Sequence, residues 1–251
     1  MSLIELPSPN FNERTAPPDM VVLHYTGMRS GKAALERMCD PAAQVSAHYC
    51  VDQDGSVYRL VPEERRAWHA GVSFWKGETG LNDTSIGIEI VNPGHEFGYQ
   101  DFPAAQVDAV IGLLDAMRGR WDIADSRILG HSDIAPERKE DPGERFPWKT
   151  LAEHGHGLWV TPDMPPDGTM GPALGPADAG LGVFSLQAAL GKLGYNSLAG
   201  GPYDAETSTI VTAFQRHWLP DQIGTALEGM ADARLRVTLM ALLRHIALME
   251  A

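Results

Sequence analysis

The sequence predicts an α/β fold, a mixed β-sheet flanked by helices, followed by a small C-terminal three-helix domain. The prediction rests on β-rich runs alternating with an amphipathic helix over the first two-thirds of the chain, a Pro/Gly-dense break after about residue 160, and helical stretches beyond it. The resulting boundaries are 1–160, a linker at 161–178, and 179–251.

Each element has its own justification. MVVLHYT (20–26) is an apolar run of strand length. SAHYCVDQDGSVYRLV (46–61) reads as two strands around Asp54-Gly55, a dipeptide suited to a tight hairpin turn. TSIGIEIV (84–91) alternates Ile86, Ile88 and Ile90 against Gly87 and Glu89, which puts the isoleucines on one face of a sheet and Glu89 on the other. Val107, Val110, Ile111, Leu114 and Met117 recur at helical spacing behind Pro103, a residue at home in a first helical turn. SRILG (126–130) then reads as a short strand. TPDMPPDGTMGPALGPADAG (161–180) lacks any apolar period and reads as the linker. VFSLQAALGKLGY (183–195), DAETSTIVTAFQRHW (204–218) and ADARLRVTLMALLRHIAL (231–248) supply helices for a compact bundle with a small core.

Composition narrows the function classes. Across 251 residues, 43% are hydrophobic and 21% charged, as in ordinary globular proteins. A formal net charge of −13 argues against a nucleic-acid partner, which needs a surplus of Lys and Arg. No apolar run is long enough to span a bilayer. The start, MSLIELPSPNFNERTAPPD, has no basic segment leading into an apolar one, so the expected location is the cytoplasm, or the periplasm if an export signal has been removed. Cys39 and Cys50 are too few for a disulfide framework and are expected to be buried free thiols; the chain is expected to be a monomer.

The chemistry concentrates in GHSDIAPERKEDPG (130–143), where prolines and glycines break any continuous helix. His131 follows the strand RILG, and Asp141 stands at a turn made by Pro142 and Gly143. His24 lies in the strand VVLHYT, where an imidazole needs a hydrogen-bond partner or a metal. Two imidazoles and a carboxylate form a recurrent ligand set for catalytic Zn²⁺. On spacing alone, a hydrogen-bonded structural histidine is the better reading of His24. Glu89, if it faces a metal-bound water, is placed to act as general base; the alternative is a solvated strand carboxylate. Lys139 can bring an ammonium to a substrate oxygen from the same loop as Asp141, or be merely an exposed lysine. Asp133, Glu137, Arg138 and Glu140 read as a solvated or fold-supporting charge run.

Taken in order, VVLHYT, SAHYCVDQDGSVYRLVPEERRAWHAGVS, NDTSIGIEIVN and GHSDIAPERKEDPG closely resemble the zinc-dependent bacterial N-acetylmuramoyl-L-alanine amidases. That family shares its fold with phage lysozyme-like amidases and animal peptidoglycan recognition proteins. The resemblance spans about residues 18–160. It implies that His24, His131 and Asp141 bind Zn²⁺, that Glu89 is the catalytic glutamate, and that Lys139 stabilises the transition state. It also implies substrate contacts for His69 in AWHAG and His48 in SAHY, with a structural role near the site as the alternative for His48. His95, His154 and His156 match nothing in the pattern and are expected at the surface.

The implied reaction is hydrolysis of the amide between N-acetylmuramic (or anhydro-N-acetylmuramic) acid and L-alanine of the stem peptide. The implied partners are muropeptides or polymeric peptidoglycan, in wall turnover or recycling. LQAALGKLGYNSLAGGPYDAETSTIVTAFQRHW also resembles the three-helix peptidoglycan-binding domain, although LPDQIGTALEGMADARLRVTLMALL replaces its usual glycine-rich turn. Two rivals stand beside the enzyme: a non-catalytic peptidoglycan-binding protein on the same fold, and a protein holding zinc for stability with Cys50 as a fourth ligand.

Overall fold

A computed structural model describes residues 3–166 and 168–250 of the chain. Two short strands, β1 (Leu3–Glu5) and β2 (Phe11–Glu13), precede β3 (Met20–Tyr25) and helix α1 (Gly31–Cys39). Next come β4 (Tyr49–Val51), β5 (Val57–Arg59), β6 (Arg65–Ala67), β7 (Phe74–Trp75), β8 (Glu78–Thr79) and β9 (Ser85–Ile90). Helices α2 (Gly94–Phe97) and α3 (Ala104–Arg118) lead to β10 (Ile128–Gly130), α4 (His131–Ile134) and α5 (Trp148–Glu153). Helices α6 (Leu181–Leu193), α7 (Ala205–Trp218) and α8 (Ala233–Met249) complete the chain.

The main sheet is mixed, as the sequence predicts, with strand order β1-β5-β4-β9-β3-β10. Only β4 and β5 run antiparallel, and Gly55 makes their turn with a φ of +86° that other residues adopt with strain. In β9 the isoleucines point to one face, where with Val21 and Leu23 they pack against Val110, Leu113 and Leu114 of α3. The opposite face carries Ser85, Gly87 and Glu89, and the β3–β9 register sets Glu89 beside His24. The chemistry therefore sits near the carboxyl ends of parallel strands, where open α/β sheets place their sites.

The C-terminal helices pack against the sheet side of the molecule. Their buried residues, among them Leu186, Leu190, Phe214 and Leu239, form one continuous core with Met20, Val22, Leu129 and Ile134 of the sheet side. Trp75 is the anchor: it is 1% exposed and meets Tyr195 edge-on at 5.0 Å. Gly194 makes that approach possible, since a Cβ there would fall 2.4 Å from the Trp75 ring. Among its described residues the run expected as a linker has no helix; its Leu174 pairs with Ala231 in an isolated antiparallel bridge.

Polar groups seal the same junction. Asp133, 1% exposed, accepts hydrogen bonds from Tyr195 Oη and His217 Nδ1, both at 2.7 Å, and from the Gly130 N–H at 2.8 Å. The His217 ring is stacked between Trp148 and Trp218, at centroid distances of 3.7 and 3.8 Å. Asp133 thus supports the fold rather than joining a solvated run. His156 is likewise buried rather than superficial, with Nε2 3.1 Å from Asp115. Cys50 is buried as expected, whereas Cys39 is half-buried at the edge of α1. Among the described residues, no helix is long and apolar enough to cross a membrane.

Candidate active site

Three of the predicted residues converge. His24 Nδ1 lies 2.9 Å from His131 Nδ1 and 2.9 Å from Asp141 Oδ2, and His131 Nδ1 lies 3.0 Å from the same oxygen. His24 comes from β3 and His131 opens α4 immediately after β10, two strands that pair directly. Asp141 is returned by its loop: its carbonyl accepts the Ser132 N–H at 2.9 Å, so the two ends of 131–141 close on each other. Tyr99 Oη braces the turn by donating to the Pro142 carbonyl at 2.5 Å. Arg138, from the middle of the loop, donates to the carbonyls of Ala70 and Val72, so it too is a brace rather than a solvated charge.

The hydrogen-bond partners determine where the ring protons sit. His131 Nε2 faces the Ala70 carbonyl at 3.1 Å, an acceptor that favours the proton on Nε2 and leaves Nδ1 available to a metal, with the Arg138 guanidinium farther off at 3.4 Å. His24 Nε2 faces His69 Nδ1 at 3.0 Å. Burial is the largest influence on His24 and lowers its pKa to about 4, so the ring is neutral near pH 7. Asp141 is held well below the usual carboxylate range by His131 and His24, against the opposing effect of its burial. His24 Nδ1, His131 Nδ1 and Asp141 Oδ2 are thus buried around one point, and a cation that displaces any proton held between them is the natural partner of such a set. His24, His131 and Asp141 form a group able to hold a metal ion, with all candidate ligand atoms within 4.8 Å of one another.

Glu89 stands beside this group. Burial and the charge of Asp141 raise its pKa well above the usual range, with Lys139 opposing, and its Oε2 is buried without a hydrogen-bond partner. A cleft of about 810 Å³ opens over these groups and is lined by Glu89, Lys139, His131, Tyr25 and His95. Helix α7 contributes Thr209, Thr212 and Arg216 to its wall, residues that sequence reading did not single out. Cys50 faces Glu89 in the β4–β9 register but supplies none of the clustered donor atoms.

His69 reaches the cleft, yet both its ring nitrogens are engaged within the protein, with His24 and with Ser85. His48 is fully buried: Nδ1 accepts the Gly87 N–H at 2.9 Å and Nε2 lies 3.0 Å from the Arg65 carbonyl. It tethers strands behind the site and does not line the cleft, which fits the structural alternative rather than a substrate contact. Asn82 was missed by sequence reading; its Oδ1 accepts the N–H groups of His69 and Ala70 at 2.9 and 2.7 Å. A buried Asn in the 3₁₀ turn before β9 carried no periodic signal that could have exposed it.

Fold and site together define an amidase of the peptidoglycan-directed α/β type, and the chain belongs to the N-acetylmuramoyl-L-alanine amidase family (Amidase_2), whose profile matches residues 14–144. Among curated relatives, the N-acetylmuramoyl-L-alanine amidase AmiD of Escherichia coli is 36% identical over 236 residues, 89% of this chain and 82% of that one. The 1,6-anhydro-N-acetylmuramyl-L-alanine amidase AmpD of Enterobacter cloacae is 35% identical over 162 residues, 57% of this chain and 84% of its own. Among solved structures, E. coli AmiD in complex with anhydro-N-acetylmuramic acid-L-Ala-D-γ-Glu-L-Lys superposes with a TM-score of 0.75 at 32% identity, covering 94% of this chain and 98% of that one. AmpDh3 of Pseudomonas aeruginosa, in complex with anhydromuramic pentapeptide, gives 0.74 at 31% identity, covering 92% and 93%.

Proposed function

We infer that this chain is a zinc-dependent N-acetylmuramoyl-L-alanine amidase that hydrolyses the amide between N-acetylmuramic or anhydro-N-acetylmuramic acid and the L-alanine of the stem peptide. The observation that carries the reading is the buried group of His24 Nδ1, His131 Nδ1 and Asp141 Oδ2 beside Glu89 at the base of an open cleft. These three side chains would hold Zn²⁺, which when bound supplies a Lewis acid for the scissile carbonyl and acidifies water.

The remaining chemistry belongs to the chain. Glu89 takes a proton from the attacking water and returns it to the leaving amine; burial raises its pKa above the usual carboxylate range, which favours holding the proton between the two transfers. Lys139 Nζ offsets negative charge growing on the carbonyl oxygen. The cleft wall from α7 makes 179–251 part of the substrate site in this reading, with 1–160 as the catalytic domain and 161–178 as the connection. Peptidoglycan fragments, soluble anhydromuropeptides among them, are the proposed substrates; the substrate in the AmiD complex and the anhydromuramic pentapeptide in the AmpDh3 complex support that class.

Glu89→Ala tests the assignment. The variant is expected to keep its fold and its zinc and to lose about 10²–10⁴-fold in turnover, the usual worth of a positioned acid–base group. Release of L-alanine-headed peptide, followed by mass spectrometry on soluble anhydromuropeptide and on insoluble sacculi, reads the loss and ranks the substrates. Undiminished turnover by Glu89→Ala would refute the proton-transfer role.

A further inference from the structure

The His69 ring lies behind His24 and is held in a way that a substrate contact does not need. Ser85 Oγ is 2.5 Å from the Leu81 carbonyl, an acceptor only, so the single hydroxyl proton is donated there. Toward His69 Nε2, 3.3 Å away, the same oxygen can therefore only accept. His69 then carries its proton on Nε2, and its Nδ1 is an acceptor. The ring rests over Gly87, where a Cβ would come within 2.4 Å of His69 Cγ, so the glycine opens the space the imidazole fills. Ser85 and Gly87 are alternate residues of β9, on the same face as Glu89. From the other side, Asn82 Oδ1 pins the N–H groups of both His69 and Ala70.

We propose that His69 is a positioning residue for the metal centre: with its tautomer set by Ser85, it takes the Nε2 proton of His24 and so keeps His24 Nδ1 bare and aimed at the metal. The adjacent Ala70 carbonyl does the same for His131. One dipeptide, His69-Ala70, thus offers an acceptor to the Nε2 of both imidazole ligands. The proton order runs without a gap: Ser85 to the Leu81 carbonyl, His69 to Ser85, His24 to His69. This role rests on the proposed metal-amidase reading but replaces the substrate contact that the family resemblance suggested for His69. Partners that orient a ligating histidine typically change metal affinity about 10–100-fold when removed.

The test uses the full-length chain and does not depend on turnover. In metal-free protein near neutral pH, ¹⁵N-resolved imidazole spectra are expected to show the His24 and His69 protons on Nε2. Ser85→Ala frees His69 to carry its proton on Nδ1, which moves the His24 proton onto its metal-facing nitrogen; the spectra are expected to show that shift. Zinc affinity measured by chelator competition is expected to fall about 10–100-fold in Ser85→Ala and in His69→Phe, a ring that still fills the space over Gly87. The thermal midpoint of each metal-free variant separates this loss from unfolding. A His24 proton found on Nδ1 in the metal-free wild type would overturn the proposal whatever the variants do. So would wild-type zinc affinity in a folded His69→Phe. Loss of amidase turnover with zinc binding and tautomers intact would instead count against the functional reading alone.

Discussion

The two faces of the central sheet use the same strands for opposite purposes. Toward α3, Ile86, Ile88 and Ile90 pack into an apolar cluster, and burial by itself is favourable there. On the other face, Ser85, Gly87 and His24 are buried polar or minimal groups beside the half-buried Glu89, and the positions of Ser85 and His24 depend on named partners. An apolar face tolerates imprecision, because contact is non-directional. The polar face does not, because each donor left without its acceptor costs free energy. The α6–α8 helices cover the part of this second face that carries Met20 and Val22, and they bring their own polar latch, Tyr195 and His217, to Asp133.

The contrast is broken most severely on the apolar side. Leu114→Ala, fully buried in α3, is expected to cost about 2–5 kcal/mol of stability, measured by denaturant unfolding, while zinc affinity of the folded protein stays unchanged. Asp133→Ala sharpens the comparison from the other side. It leaves Tyr195, His217 and the Gly130 N–H without their acceptor, for a loss of about 1–3 kcal/mol. Because Asp133 follows His131 in the same helical turn, weaker zinc binding is expected with it, which Leu114→Ala does not produce.

Acid distinguishes the faces more gently. Burial, with the Arg14 charge next, lowers the His48 pKa from 6.5 to about 3. Below about pH 6.5 the unfolded chain takes up a proton at His48 that the folded chain refuses, so this residue makes stability fall as pH falls, down to about 3. Its slope is at most about 1.4 kcal/mol per pH unit. His48→Asn keeps an acceptor for the Gly87 N–H and is expected to flatten the stability profile between pH 7 and 5; an unchanged profile would refute the assignment.

Much of this was legible in the chain because it is local. The alternation in 84–91, the hairpin at Asp54-Gly55 and the helix behind Pro103 appear as β9, β4–β5 and α3. Strands of two or three residues, such as β6, β7 and β8, are too short to carry a period, and they escaped reading. Helix α1 escaped although Ser30 caps it, because only Ala34, Leu35 and Met38 mark its buried side after Gly31. His217 gave no sign beyond its place in FQRHW, since nothing local tells that its partner lies in α4.

The sequence by itself determined the fold class and, through ordered motifs, the candidates His24, Glu89, His131, Lys139 and Asp141. The period of a strand and the residue types a reaction needs are both written along the chain. Only the tertiary structure decided that three of those side chains meet within 4.8 Å, that His48 sits behind the site, and that His69 turns its nitrogens to Ser85 and His24. Only it decided that the last three helices share a core with the sheet. The reason is physical: which face a residue occupies is set by neighbours in sequence, but which partner it meets is set by packing between segments far apart in the chain.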